Sequence, residues 1–557
     1  MNDVKIKKRS KEEKLFFLSL AVILILQLVV LVSFAHRKAG FHEDELYTYY
    51  SSNRTAGLFV NDREWLEKET LQNEFLVLEG EQFRYGLVKQ VQSWDVHPPL
   101  YYYIFHTACS LFPGIFTKWT GIGINLIAYV LSFVLLAAVS FTAATAEGIR
   151  KPEKEEDAEE KNNKSIRARR ITLLTCLFWG LSSAVISGVL FIRMYQWLTV
   201  FVLLCLWLHL RAIKSCDYSV KYFLLPLSVT VFLGFLTQYY YIIFHIFLGA
   251  GFCFLLLKNK RIKEIFSYAS ACALGLGGAI LYYPSSLAHI FRGYRGTEAV
   301  SEFGDASNTL DRLKFFYELL NEYVMGGTLN IWLLFVCILG VTVSFLKRKR
   351  RKVPVFITES VGLMLFTAVG YFFTISKTAL LLGETSNRYQ LPVYGQIIFL
   401  LIYVTFMMVT YLLPEGKAGK KEFVIAGTIA VILLLVDVFA IRNEKVFFLY
   451  EKEKNIIQAA KDEPDMPVLV YYHQDSGDHI WWLADKLLLH DKVYLVSQQN
   501  EAPITEPEIL ESDKLWVYMA DHEDEASFLE DLIENNVHLT EYETLAEKGL
   551  WTLYEVR

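Results

Sequence analysis

Cysteine is scarce in this 557-residue chain, with seven in all (Cys109, Cys176, Cys205, Cys216, Cys253, Cys272 and Cys337), no CxxC pair, and none after residue 337. A disulfide framework and a zinc ribbon are thereby excluded. No internal repeat is visible, and no small-residue cleavage site follows the apolar run at the N-terminus, so that run reads as an uncleaved first helix. The chain also lacks the even mixing of polar and apolar residues that a soluble protein of this length would show. Its hydrophobic residues, 53% of the total, gather instead in long runs separated by short basic clusters. Residues 15–35 already exceed the roughly 18 apolar positions that suggest a bilayer span. A cytosolic enzyme, a secreted scaffold and a conventional nucleic-acid binder are excluded.

Further apolar segments lie near 98–116, 119–146, 171–191, 195–212, 221–237, 240–257, 266–284, 328–346, 354–375, 392–413 and 421–441. The basic loops at 150–170, 258–263, 347–352 and 415–421, with the Lys- and Arg-rich N-terminal tail, should all be cytoplasmic by the positive-inside rule. Parity satisfies this only if one segment before residue 150 does not cross. The best candidate is 98–116, which opens on Pro98-Pro99, contains His106 and is interrupted by Pro113-Gly114. The expected architecture is a polytopic α-helical membrane protein of about eleven spans. Its N-terminus is cytoplasmic, its outer loop covers 36–96, and 98–116 forms a juxtamembrane or re-entrant helix. From about 443 the composition changes, and strands at 467–473, 492–497, 514–520, 537–543 and 549–556 alternate with helical spacing at 478–489 and 523–535. The sequence therefore divides into a membrane module, 1–442, and a soluble extracytoplasmic α/β domain, 443–557, reached through a helical stalk at 444–463.

On this topology the unusual polar residues share one side of the membrane. They are His42, Glu43, Asp44 and Glu45 after the first span, Asp95 and His97, Arg193, Arg292 and Arg295, and Lys377 with Arg388. A carboxylate cluster facing a basic cluster suits an anionic lipid head group. Each residue also has a plainer reading. The carboxylates could be a solvated face, Arg193 a snorkelling side chain, Arg388 an interfacial anchor, and His97-Pro98-Pro99 a helix start.

Three elements together resemble the GT-C superfold glycosyltransferases, specifically bacterial relatives of protein O-mannosyltransferases and of the lipid A aminoarabinose transferase. These are the acidic pair Asp44-Glu45 with Tyr47 following, the run Asp95-Val96-His97-Pro98-Pro99-Leu100-Tyr101-Tyr102, and Arg388-Tyr389-Gln390-Leu391-Pro392. The likeness covers roughly 1–442, and Glu43 ahead of the acidic pair departs from the usual pattern. The resemblance implies inverting transfer of a hexosyl or pentosyl group from a polyprenyl-phosphate carrier to an acceptor hydroxyl. The acceptor would be an envelope polymer, a glycolipid or a protein, and the reaction would occur at the outer face of the membrane. Asp44 is then the expected base, with Glu45 orienting or assisting. Arg388 is the leading donor-phosphate ligand, with Arg193, Arg292 and Lys377 behind it. Asp95 and His97 would position the acceptor or the first loop. No cofactor is expected, and metal dependence stays open. His473, Asp475, Asp478 and His479 have metal-ligating chemistry, but their spacing matches no metal motif, and Asp478 equally suits a helix N-cap. The competing classes are a lipid-sugar flippase, which needs ionisable residues deep in the spans, where Asp437 is the main exception to their apolar character, and a non-catalytic scaffold.

Overall fold

The computed structural model describes residues 11–53, 61–146, 148–149, 158–347, 356–412, 418–520 and 525–557. The basic residues Lys5, Lys7, Lys8 and Arg9, the stretch 150–157, and Arg348 to Lys352 lie outside the described residues, as do 415–417. Among the described residues ten helices are long and apolar enough to cross a membrane, and the bent pair Glu160–Leu181 and Ser183–Leu190, which turns by 57°, brings the number to eleven when taken as one span. The expected span count therefore holds. The helix inside 98–116 covers only Leu100–Leu111. At 1.5 Å per residue it is about 18 Å long, well short of a hydrocarbon core of about 30 Å. Pro113 ends it and Gly114, at φ +74°, turns the chain back.

Polar side chains inside the bundle are paired across helices. Gln27 of the first span (Lys11–Arg37) donates to the carbonyls of Cys176 and Leu177 and accepts from the Tyr129 hydroxyl at 2.7 Å. Such bonds join apolar helices that have no hydrophobic driving force between them within lipid.

The soluble domain is a six-stranded sheet of order β1-β3-β2-β4-β6-β5. β2 (Val468–Tyr472), β3 (Lys492–Ser497) and β4 (Leu515–Ala520) are parallel, with helical crossovers between them. β6 (Trp551–Val556) runs antiparallel to β4 and forms a hairpin with β5 (Tyr542–Lys548), turning at Gly549, φ +58°. Two expectations are corrected here. The strand placed at 537–543 lies at 542–548, because it pairs with β6 along its length. The edge strand β1 (Glu64–Glu67) comes from the 36–96 loop and pairs with β3, Glu64 opposite Leu495 and Glu67 opposite Lys492. The soluble unit is thus not confined to 443–557. Apolar packing accompanies the pairing: Trp65 lies 5.2 Å from the Tyr494 ring, and Leu66 is buried.

The expected stalk also differs. A helix covers only Lys454–Asp462, and residues 443–450 are irregular, with Glu444, Phe448 and Tyr450 in the left-handed region. Each such residue costs about 1–2 kcal/mol of backbone free energy. The strain is offset by packing, since Phe448 stacks on Phe191 with ring centroids 4.2 Å apart. Bending there lets the domain sit directly on the site-bearing end of the bundle instead of standing off on a rod.

Candidate active site

The short helix Glu43–Asn53 begins at His42, and its first turn holds Glu43, Asp44 and Glu45, where the helix dipole favours negative charge. His42 caps this turn through its ring, whose Nδ1 accepts from the Asp44 N–H at 3.1 Å. Glu45 closes the box by accepting from the His42 N–H at 2.8 Å. A clustered HEDE run is therefore partly a helix start, which accounts for Glu43 preceding the acidic pair.

Glu45 is fully buried. Its carboxylate also accepts from Lys38 Nζ at 2.9 Å and from the Ile192 N–H at 2.8 Å. Lys38 in turn donates to the Phe448 carbonyl at 2.8 Å. With its oxygens committed in this way, Glu45 holds the Asp44 turn, the Ile192 turn and, through Lys38, the 446–450 segment together. Lys38→Met should strand the buried carboxylate and cost about 3–5 kcal/mol. The unfolding temperature of the detergent-solubilised protein should fall steeply, and Lys38→Met combined with Glu45→Gln should recover much of the loss. Equal unfolding temperatures for parent and Lys38→Met would show that the pair does not hold this junction.

Asp44 is the exposed member, with 28% of its side chain accessible. Below it lie two buried guanidiniums. Arg388, at the start of helix Asn387–Leu412, donates through Nη1 to Asp44 Oδ2 at 2.8 Å. Arg193, in the turn between Ser183–Leu190 and Tyr195–Ser215, stands 3.5 Å from Asp44 Oδ1. Burial acts to raise the Asp44 carboxyl pKa, but the Arg193 and Arg388 guanidiniums outweigh it and hold the group well below the usual carboxylate range. Arg388 is enclosed by aromatic rings, with Phe191 and Tyr389 each 5.1 Å from its guanidinium carbon and Tyr195 at 5.8 Å. Both arginines keep a buried Nε–H without an acceptor among the described residues. Buried donors of this kind normally find partners, and two beside one carboxylate point to an anionic ligand.

A second carboxylate supports the cluster from behind. Asp95 meets His97 Nδ1 at 2.7 Å, and His97 Nε2 accepts from Arg193 Nη2 at 3.2 Å. An accepting Nε2 places the ring proton on Nδ1, facing Asp95. Burial raises the Asp95 carboxyl, yet His97 and the Val96 backbone hold it at about 2. Arg193 also donates to the Tyr102 hydroxyl at 3.1 Å and to Thr48 Oγ1 at 3.3 Å. The order Asp95, His97, Arg193, Asp44, Arg388 is thus a continuous polar chain built from four separate segments.

Two expected phosphate ligands are not brought in. Lys377 is buried and donates to the Asp305 carbonyl at 2.6 Å and to Asn308, fastening 305–308 to the end of helix Glu359–Thr378. Arg292 is exposed after helix Ser285–Phe291, and among the described residues no hydrogen bond or ion pair joins it to Asp44. Arg295 pairs with Glu298 at 3.2 Å. Tyr102, Thr48 and the aromatic collar were not singled out from sequence, although Tyr102 stands inside the HPPLYY run. Among the described residues no group of three His, Cys, Asp or Glu side chains is arranged to hold a metal ion. His479 stacks on Trp482, and the side chains of Asp475 and Asp478 lie outside the described residues.

Neither a protein-family model nor a curated protein matches the sequence. Among solved structures, the chain is similar to ArnT from Cupriavidus metallidurans bound to undecaprenyl phosphate, at 14% identity and TM-score 0.47, over 96% of this chain and 97% of that one. It is also similar to the oligosaccharyltransferase from Archaeoglobus fulgidus, at 11% identity and TM-score 0.41, over 92% and 71% of the two chains. A third likeness is to the arabinosyltransferase EmbB from Mycobacterium smegmatis, at 10% identity and TM-score 0.36, over 75% of this chain and 40% of that one.

Proposed function

We propose that this multi-pass membrane protein is a glycosyltransferase that moves a sugar from a polyprenyl-phosphate carrier to an acceptor hydroxyl, with inversion. The observation that carries the reading is Asp44, partly exposed and lying against the buried guanidiniums of Arg388 and Arg193, whose Nε–H groups have no acceptor among the described residues. Asp44 takes the acceptor proton as the acceptor oxygen attacks the anomeric carbon. The bond from that carbon to the phosphate oxygen breaks on the opposite face, and its electron pair leaves with the phosphate. Arg388 and Arg193 stabilise the charge gathering there.

The ion pairs imply an order of events. With no phosphate present, the guanidiniums neutralise Asp44 and leave it a poor base. A phosphate drawn to the same guanidiniums weakens their hold on the carboxylate and raises its proton affinity. Base strength would then depend on donor occupancy, which protects against idle proton uptake.

The site and the soluble domain lie at the same end of the bundle, and the positive-inside rule makes that end extracytoplasmic. Cysteines introduced at Ser165 and Ser512 should therefore label from opposite sides of intact membranes, Ser512 from outside. Labelling of both from one side would overturn this orientation. The activity itself is tested by single-turnover transfer of labelled sugar from a polyprenyl-phosphate donor. Sugar that crosses the membrane still attached to its carrier would identify a flippase instead.

A further inference from the structure

The Asp44 helix presents one stripe to solvent. Glu43, Asp44, Tyr47 and Tyr50 are partly exposed, and every other residue of Glu43–Asn53 is buried. At 1.5 Å per residue, Tyr47 lies about 4.5 Å and Tyr50 about 9 Å beyond Asp44 along the axis. The soluble domain lays a second aromatic row beside this stripe, from the turn Gln474–Leu483. Trp482 donates its indole N–H to the Tyr47 hydroxyl at 3.0 Å and stacks on His479, with centroids 4.2 Å apart and planes at 29°. Trp481 lies flat against Tyr50 at 4.4 Å and 25°, and its buried indole N–H has no acceptor among the described residues. The outcome is a floor of rings leading away from the proposed base, half-exposed at Tyr47, Tyr50, His479 and Trp482.

Resting on the glycosyltransferase reading, we propose that this floor is the acceptor subsite and that the acceptor is a neutral carbohydrate. A pyranose presents an apolar C–H face and a rim of hydroxyls. Tyr, Trp and His rings offer flat apolar surface with hydroxyl and N–H groups at their edges, which suits one apolar face and one wet edge. Glu43 and Asp44 then meet the hydroxyl rim at the reacting end. Charge separates this class from the polyanionic one. Residues 443–557 carry 26 Asp and Glu against 9 Lys and Arg, a field that repels a polyphosphate chain. The arrangement also gives the docked domain a reason to touch the membrane site, since neither unit alone completes the floor.

The test is isothermal titration calorimetry of the full-length protein in nanodiscs without donor. The probes are a panel of neutral tetrasaccharides (chitotetraose, mannotetraose, cellotetraose), a serine- and threonine-rich peptide, and polyglycerol phosphate. At least one tetrasaccharide should bind saturably, and the other two probes more weakly or not at all. Trp482→Ala should weaken that binding about 30-fold, as expected for a central aromatic contact. Trp482→Phe keeps a ring without the Tyr47 bond and should stay within about threefold of the parent. This conservative variant keeps the proposal falsifiable if Trp482→Ala fails to fold. Saturation by none of the saccharides, tighter binding of peptide or polyphosphate, parental binding by Trp482→Ala, or loss in Trp482→Phe equal to that in Trp482→Ala would each overturn it. Undecaprenyl phosphate binding, measured on the same preparation, separates the two readings. If it persists while saccharide binding is absent, only the acceptor assignment falls. If it is absent from the parent, the transferase reading falls.

Discussion

Asp44→Asn should abolish transfer while strengthening the grip on the donor phosphate. The substitution keeps the side-chain shape and removes the basic oxygen, so the proton of the acceptor hydroxyl has no place to go. General-base contributions are about 10²–10⁴-fold, and single-turnover transfer should fall by that amount. Binding should move the opposite way. In the parent, Asp44 competes with phosphate for Arg388 and Arg193 at 2.8 and 3.5 Å. Removing that competitor releases about 1.5 kcal/mol, the low end for a close charge pair, or about tenfold in affinity for undecaprenyl phosphate. Loss of transfer with tighter binding is a signature that a misfolded variant cannot imitate. Near-parental transfer by Asp44→Asn would remove Asp44 as the base. Glu45→Gln should impair transfer less, because Asp44 itself stays in place and the single Gln oxygen still accepts from one of the two N–H groups, His42 or Ile192, that the two Glu45 oxygens serve.

Arg388→Ala should lower kcat/KM by about 10²–10³-fold, the loss expected when a donor aimed at developing negative charge is removed. Arg388→Lys should recover only part of this. An ammonium cannot span Asp44 and Tyr389 as the guanidinium does, and it loses the planar contact with Phe191. The pH dependence separates charge from shape. Arg388 is one of the charges that lower the Asp44 carboxyl, so deleting it raises that group back toward the ordinary carboxylate range. Activity needs the ionised form, so the acid limb of the Arg388→Ala profile should move to higher pH. In Arg388→Lys, which keeps the charge, the limb should stay near the parent's position. Parental turnover and an unmoved acid limb in both variants would leave Arg388 as an interfacial anchor.

Much of this site was legible from residue types alone. Asp44, Asp95, His97, Arg193 and Arg388 are polar or charged groups at the ends of apolar runs, and the structure gathers all five into one hydrogen-bonded chain. A charge near a membrane boundary stands out against its surroundings, so local sequence flags it. Local sequence does not distinguish a charge that faces a ligand from one that faces its own backbone. Glu45 and Lys377 have the chemistry of site residues but spend it on Lys38, Ile192, Asp305 and Asn308. Those partners lie up to 147 positions away, and no spacing rule reaches that far.

The sequence by itself determined that there are about eleven spans and that the segment at 98–116 is not one of them, since hydropathy and length answer to the thickness of a bilayer and need no partner. It also placed strands at 467–473, 492–497 and 514–520, where β2, β3 and β4 lie, because short apolar runs alternating with helical spacing are a local signal. Only the tertiary structure decided that β1 leaves the first loop to edge that sheet, that residues 443–450 bend instead of forming a rod, and that Asp44 meets Arg388 across 344 positions of chain. Each of these depends on which surfaces remain unpaired once the helices have packed. That is a property of the assembled molecule, because an edge strand, a buried salt bridge or an aromatic stack is stabilised only by the partner that covers it.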